Sequence, residues 1–381
     1  MSKKNKILLL FITEDWYFWS HRLKLACSTR EAGYEVYIAT RISKYEKEIK
    51  DRGLHVIPLK YLKRRRINPF LELLSIIEIV NIYRSIKPSI VHHVALKPVL
   101  YGSIAARITK VPNIINAFAG LGHSFIGHGI KAVLFKKILK GIFFLILKKS
   151  NSMIIFQNSE DLNIFVKSGI IKHEQAKLIK GAGVDINKFF VSPEAPGKPV
   201  IAITSRMLWT KGINELVAAT LILKSKNVEC KTLLVGINDP ENPASIPDKV
   251  LEKFQEEGDE VIEYCGYNDN IPKLLSNIHI FCLPTFYGEG VPLSLIEAAA
   301  SGKPIVTTDV PGCRDIVRHG LNGFLVSPKE VKPLADALQK LIENPKLRKK
   351  MGLAGRKLVE QEFSDEIIIK KTLDLYKRLL S

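Results

Sequence analysis

Short apolar runs recur along the chain, and stretches of helical periodicity separate them. KILLLFI (6–12), EVYIAT (35–40), HVIPLK (55–60), SIVHHV (89–94), NIINAF (113–118) and SMIIFQ (152–157) each read as a buried strand. Between them, SHRLKLACSTREAG reads as a helix stopped by Gly33. INPFLELLSIIEIVNIYRSIKP reads as a long amphipathic helix that starts near Pro69 and ends before Pro88. Further helices are expected from Lys97 to Lys110 and over GIKAVLFKKILKGIFFLILKK. Strands that alternate with helices predict a parallel sheet covered on both faces. The pattern breaks at GAGVDINKFFVSPEAPGKP, whose Gly and Pro content marks a linker. It resumes with VIAITS (200–205), TLLVG (232–236), VIEYCG (261–266), IHIFCLP (278–284) and PIVTTD (304–309), the strands of a second open sheet. The last segment, FSDEIIIKKTLDLYKRLL, has a capping Ser364 and helical periodicity. The expected organisation is an α/β domain over 1–185, a linker over 186–198, a second α/β domain over 199–363 and a C-terminal helix over 364–381. At 381 residues the chain is long enough for two full cores.

Charge changes the picture, because it is not spread evenly. Residues 1–190 hold 32 Lys and Arg against 13 Asp and Glu, which accounts for the whole net charge of +19. Between Gly53 and Ser159 the only acids are Glu72 and Glu78. Such asymmetry asks for a polyanionic partner: an anionic membrane, a pyrophosphate-bearing substrate or nucleic acid. The run Lys63, Arg64, Arg65, Arg66, with Leu62, Ile67 and Phe70 beside it, suits contact with an anionic bilayer surface. No run is long enough to span a membrane, and MSKKNKILLLFI meets Glu14 and Asp15 too soon for a signal peptide. Attachment is therefore expected to be peripheral. The five cysteines show no C-x-x-C pair, and Cys27, Cys265 and Cys282, in apolar surroundings, read as buried thiols.

Candidate chemistry concentrates in PTFYGEGVPLSLIEAAASGKPIVTTDVPG, from Pro284 to Gly312. Gly288, Gly290 and Pro292 mark a turn, and SLIEAAASG follows as a helix stopped by Gly302. The free N–H groups at its start make an anion site, most simply for a phosphate. Glu289 and Glu297 bracket that site. In SRMLWTKG, Arg206 and Lys211 stand five apart beside Gly212, two cations suited to a diphosphate. No G-x-G-x-x-G follows the first strand, which argues against a dinucleotide cofactor. No carboxylate pair of metal-ligand type appears, so neither metal nor cofactor is expected. In the first domain His21 and Arg22 stand at a helix start. His92, His93 and Lys97 stand at a strand end, and Gly120, Gly122 and His123 follow another strand. Ligands bind beyond the carboxyl ends of parallel strands, so these three groups belong to one rim.

EGVPLSLIEAAASGKPIV, with its Glu, seven residues, Glu spacing, resembles the retaining family-4 glycosyltransferases of the GT-B fold. The likeness extends to bacterial N-acetylgalactosaminyltransferases that act on undecaprenyl-diphosphate-linked sugars. It implies two Rossmann-like domains facing each other across a cleft, with the last helix packed back on the first domain. By this resemblance Glu289 meets the donor sugar and Glu297 the ribose. The amides near Gly290, Val291 and Leu293 hold the diphosphate. Arg206 and Lys211 neutralise it, and Gly266 in YCGYNDN lies near the base. FAGLG is similar to the family's glycine-rich turn, which points to His123 for the sugar's 6-hydroxyl. VGINDPENPASIP resembles a loop of enzymes that add N-acetylhexosamines to lipid-linked sugars. His21, Arg22, His93 and Lys97 are then acceptor residues. The implied activity is retaining, metal-independent transfer of a hexose or N-acetylhexosamine from a nucleotide sugar, UDP favoured. The implied acceptor is a polyprenyl-diphosphate-linked sugar of a bacterial surface glycan, at the inner face of the cytoplasmic membrane. No second carboxylate stands out for a double displacement, which favours front-face attack. Two rivals stay open. A sugar-nucleotide epimerase of similar fold needs no basic half. A nucleic-acid-binding protein does not explain the Glu pair, and no nucleic-acid partner is expected.

Overall fold

The computed structural model describes residues 6–64, 68–120, 140–147, 151–286, 288 and 290–381. The chain divides into two compact units, one of Met1–Ala182 with Glu366–Ser381 and one of Gly183–Asp365.

The first unit is built on seven strands: β1 Ile7–Glu14, β2 Glu35–Arg41, β3 His55–Pro58, β4 Ile90–Val94, β5 Asn113–Phe118, β6 Ser152–Phe156 and β7 Ala176–Leu178. Their order is β3-β2-β1-β4-β5-β6-β7, and every described pairing is parallel. β1 is apolar throughout because both of its faces are covered. Successive side chains point to opposite faces. Leu8, Leu10 and Ile12 therefore pack with Phe18, Ile38 and with Ile368, Leu375 and Tyr376 of the C-terminal helix Asp365–Leu380. Leu9 and Phe11 pack instead with Ile79, Tyr83 and Tyr101. The C-terminal helix is thus part of the first unit's core, although it follows the whole of the second unit in sequence.

The helix Pro69–Ile86 shows its sequence signals directly. Asn68 caps it by accepting the Phe70 N–H at 3.0 Å, Pro69 occupies the first turn, and Lys87 ends it in a left-handed conformation before Pro88.

The second unit carries β8 Val200–Thr204, β9 Lys231–Val235, β10 Ile262–Gly266, β11 Ile280–Leu283, β12 Ile305–Thr308 and β13 Gly323–Val326. Their order is β10-β9-β8-β11-β12-β13, again parallel. The Gly- and Pro-rich segment that follows Val184 is strapped to this unit. Buried Arg348 forms a bidentate pair with Glu194 at 2.8 and 2.9 Å, His279 bonds the backbone at Ala195 and Val200, and Arg356 bonds the carbonyl of Ile186. Val184 and Ser364 form a parallel bridge, so the two chain crossings lie side by side. Each sheet reverses its strand order once, at β1/β4 and at β8/β11. Ligands bind beyond the carboxyl ends of parallel strands at such reversals.

Candidate active site

In the second unit the reversal falls between the two segments that carry the candidate chemistry. β8 runs into Arg206, and β11 runs into Pro284. The intervening loop ends in a single 3-10 turn, Trp209–Lys211, and then at Gly212, whose φ of +76° suits glycine. A Cβ at Gly212 would collide with the Pro284 carbonyl, so the two loops meet backbone to backbone. Thr285 donates its hydroxyl, and Phe286 its N–H, to the Thr210 carbonyl at 3.0 and 3.1 Å. On the other side the Met207 N–H reaches the Ile237 carbonyl at 2.9 Å, and the Trp209 N–H reaches that of Ala244 at 2.8 Å. The segment VGINDPENPASIP is therefore a clamp on the cationic loop. Its Asp239 accepts from Arg206 at 2.5 Å. The Arg206 side chain is 42% exposed, so this pair contributes only about 0–1 kcal/mol. Lys211 is half-buried on the same loop.

Gly290, Val291 and Pro292 are buried and lead into the helix Leu293–Ala300, which has no side-chain cap. Glu297 lies half-buried on that helix and makes no side-chain hydrogen bond among the described residues. Burial pushes its carboxyl up to about 7, against the opposing charge of Lys188. Gly266 has φ +65°, and its carbonyl accepts the Gly236 N–H at 2.7 Å. Arg314 forms an ion pair with Asp309. Glu289 and His123 lie outside the described residues.

In the first unit the residues after β1 and β2 hold a scaffold that sequence reasoning did not find. Asp15, fully buried, accepts the N–H groups of Ser43, Lys44 and Tyr45 at 2.9, 2.8 and 2.9 Å, and the Ser43 hydroxyl. Burial raises its carboxyl, but these donors outweigh burial and hold it below its ordinary value. The available signal was an acid opening a helix straight after a buried strand. His21 is half-buried, stacked on Tyr17 at 4.2 Å and bonded to Ser20 at 2.7 Å.

His93 corrects the expected acceptor set. It is buried, with Nδ1 on Asn116 Oδ1 at 2.7 Å and Nε2 on the Tyr83 hydroxyl at 2.8 Å. Burial lowers its pKa to about 4, so it is neutral and has no ring nitrogen left for a ligand. Lys97 gives two hydrogen bonds inside the fold, to Glu72 and to the Lys63 carbonyl, both at 2.7 Å. Arg22 is buried, 6% exposed.

The basic run is tied down by the only two acids near it in sequence. Glu78 accepts the N–H groups of Lys60 and Tyr61, and Glu72 binds Lys97 and the Tyr101 hydroxyl. Leu62 corrects a second expectation, because it is buried in the core and has nothing to offer a bilayer. Lys63 is exposed and Arg64 stands over the Trp16 ring at 5.8 Å, while Arg65, Arg66 and Ile67 lie outside the described residues. The exposed apolar positions nearby are Phe70, Leu73 and Ile77, 66%, 54% and 46% exposed along one side of the helix Pro69–Ile86.

Two parallel-sheet units, with an anion-ready loop pair at the reversal of the second, define a class of sugar-transfer enzymes. The family described as "Glycosyl transferases group 1" matches residues 184–358, and "Glycosyl transferase 4-like" matches residues 6–158. The chain belongs to these glycosyltransferases, and its fold class is GT-B. It is 28% identical over 373 residues to N,N'-diacetylbacillosaminyl-diphospho-undecaprenol alpha-1,3-N-acetylgalactosaminyltransferase of Campylobacter jejuni, covering 94% of this chain and 95% of that protein. It is also 28% identical to the capsular polysaccharide biosynthesis glycosyltransferase CapM of Staphylococcus aureus, covering 92% of each. Among solved structures, a glycosyltransferase from Rickettsia africae aligns with TM-score 0.78 and 20% identity over 99% of both chains.

Proposed function

We propose that this glycosyltransferase is retaining and metal-independent, and that it moves a hexose or N-acetylhexosamine from a UDP-sugar to a polyprenyl-diphosphate-linked sugar. The observation that carries the reading is the Arg206–Lys211 loop held against Pro284–Phe286 at the β8/β11 reversal, beside an uncapped helix start. The activity in the Campylobacter relative's name supports the acceptor class. In the proposed step the bond from the anomeric carbon to the diphosphate breaks. The acceptor hydroxyl oxygen bonds to that carbon on the same face, and its proton passes to the departing phosphate. Charge grows on the diphosphate, where Arg206, Lys211 and the amides near Gly290, Val291 and Leu293 stabilise it. Glu297 accepts from the ribose hydroxyls, and Gly266 lies by the base. Glu289 and His123 take the sugar. On the first unit His21, Arg22 and Lys97 form the acceptor side.

We also propose that the first unit docks on the inner face of the cytoplasmic membrane. Phe70, Leu73 and Ile77 present an apolar stripe with Lys60 and Lys63 exposed nearby, a pairing suited to an anionic leaflet. Among the described residues no helix is long and apolar enough to cross a membrane.

The test is acceptor-dependent release of nucleotide from a panel of UDP- and GDP-sugars, in EDTA. Arg206→Ala and Lys211→Ala are each expected to lower turnover by roughly 10²–10³-fold, the worth of one preorganised donor. Nucleotide release without acceptor dependence would favour the epimerase, and loss of activity in EDTA restored by magnesium would remove metal independence.

A further inference from the structure

One buried cation of the first unit has no counter-charge. Arg22 stands at the break between the helices Asp15–His21 and Leu23–Glu31, where φ is −131° and ψ −9°. It is 6% exposed, its side chain forms no hydrogen bond or ion pair among the described residues, and its Nε is enclosed without a partner. Its charge is felt by two groups. One is His92, 2% exposed, whose Nδ1 lies 2.6 Å from the Tyr376 hydroxyl and whose Nε2 is enclosed without a partner. The other is Tyr376 itself, fully buried on the C-terminal helix. Burial first, and then the Arg22 charge, keep His92 neutral.

Among the described residues no carboxylate pairs with the Arg22 side chain. The Asp15 carboxylate is occupied by Ser43, Lys44 and Tyr45, and Glu14 is paired with Arg41 at 2.8 Å. The segments of this unit outside the described residues, 1–5, 65–67, 121–139 and 148–150, contain no Asp or Glu. The Arg22 Nε is enclosed without a partner, and a buried guanidinium nitrogen left unpaired is unfavourable. A neutral His92 that accepts the Tyr376 hydroxyl at Nδ1 carries its hydrogen on Nε2, so the two unpartnered groups are both donors.

We propose that Arg22 and His92, with His92 held by Tyr376 of the C-terminal helix, form a subsite for a phosphate-class oxyanion in the first unit. The fork of the guanidinium matches two phosphate oxygens, and His92 Nε2 supplies a further donor. The anion is either the diphosphate of the lipid acceptor or free inorganic diphosphate. Only the first of these rests on the proposed glycosyl transfer.

The experiment uses the full chain with Arg206→Ala and Lys211→Ala, so that the second unit's diphosphate loop does not report. Inorganic diphosphate is titrated by calorimetry at constant ionic strength. The parent is expected to bind and to gain thermal stability. Arg22→Met is expected to bind at least roughly tenfold more weakly. In anion-free buffer Arg22→Met should melt no lower than the parent, because the enclosed charge is gone. Tyr376→Phe, a mild change that keeps the fold, should weaken binding severalfold by releasing His92. No binding by the parent, or equal binding by parent, Arg22→Met and Tyr376→Phe, would overturn the subsite. On the chain with its second unit intact, competition of diphosphate with the lipid acceptor, and a raised acceptor KM in Arg22→Met with donor KM unchanged, assign the anion to the acceptor. Binding without such competition keeps the subsite and removes the lipid as its source. Failure of glycosyl transfer would show separately, as absence of nucleotide release.

Discussion

His92 and His93 are neighbours in sequence with opposite surroundings, because adjacent strand residues point to opposite faces of the sheet. His93 closes a satisfied network: Asn116 Oδ1 also accepts from Ser103, and Asn116 Nδ2 donates to Ser152, each at 3.1 Å. Asn116→Ala strands the His93 N–H in the core. It should cost about 1–3 kcal/mol, read as a lower urea midpoint with catalysis of the folded enzyme unchanged. Unaltered stability would mean that water replaces the amide. Glu297 titrates where function is measured. With its folded pKa raised from 4.5 to about 7, the native carboxyl stays protonated while the unfolded one ionises. The sign follows from linkage: stability falls as pH rises from about 4.5 through about 7, then levels off. If the carboxylate receives the ribose hydroxyls, UDP affinity rises with pH over that same range, by up to about tenfold per unit below 7. Glu297→Gln should flatten both slopes, and a UDP affinity that is flat with pH in the parent would count against the ribose role.

At the scale of elements, the two loops of the second unit are one object. Gly212 against the Pro284 carbonyl, and Thr285 and Phe286 on Thr210, mean that a change in either loop moves the other. Gly212→Ala should cost roughly 1–3 kcal/mol from backbone strain and lower turnover with Arg206 and Lys211 untouched. Equal turnover would show that the loops adjust independently. The basic loop is likewise held rather than loose. Glu78→Ala frees the N–H groups of Lys60 and Tyr61, and hydrogen exchange at those two amides should accelerate. These tethers were not legible in the sequence. Glu72 and Glu78 stood out only as lone acids in a basic stretch, and their targets are hydrogen bonds across 17–29 residues.

At the scale of the molecule, the C-terminal helix makes the first unit depend on residues that follow the second. Truncation after Ser364 removes Ile368, Leu375 and Tyr376 from the first unit's core and leaves the second unit's core whole. Melting should then lose the first unit's transition while the second unit survives limited proteolysis. A single unchanged transition would show that the helix is dispensable. The charge of residues 1–190 acts on the same scale. Sedimentation with anionic vesicles, salt-sensitive and absent with neutral ones, is the expected result. Replacing Phe70, Leu73 and Ile77 with Ser should abolish it while transfer to short soluble acceptors persists. Equal loss on both acceptors would assign the surface to the fold or the substrate.

Apolar strands alternating with helices, the Gly- and Pro-rich break and the loop after β11 were readable from the chain, because each depends on residues close together in sequence. The parallel sheets follow from that local pattern, and the GT-B class from the resemblance that EGVPLSLIEAAASGKPIV carries. Three things waited for the tertiary structure. Leu62 looked like part of a membrane run and is core. His93 looked like a rim residue and is sealed by Asn116 and Tyr83. Arg22 looked like one cation among many, yet its Nε is enclosed without a partner and its charge acts on buried His92, whose partner Tyr376 lies 284 residues away. Burial and partnership are properties of distant segments brought together, and short-range periodicity carries no record of them.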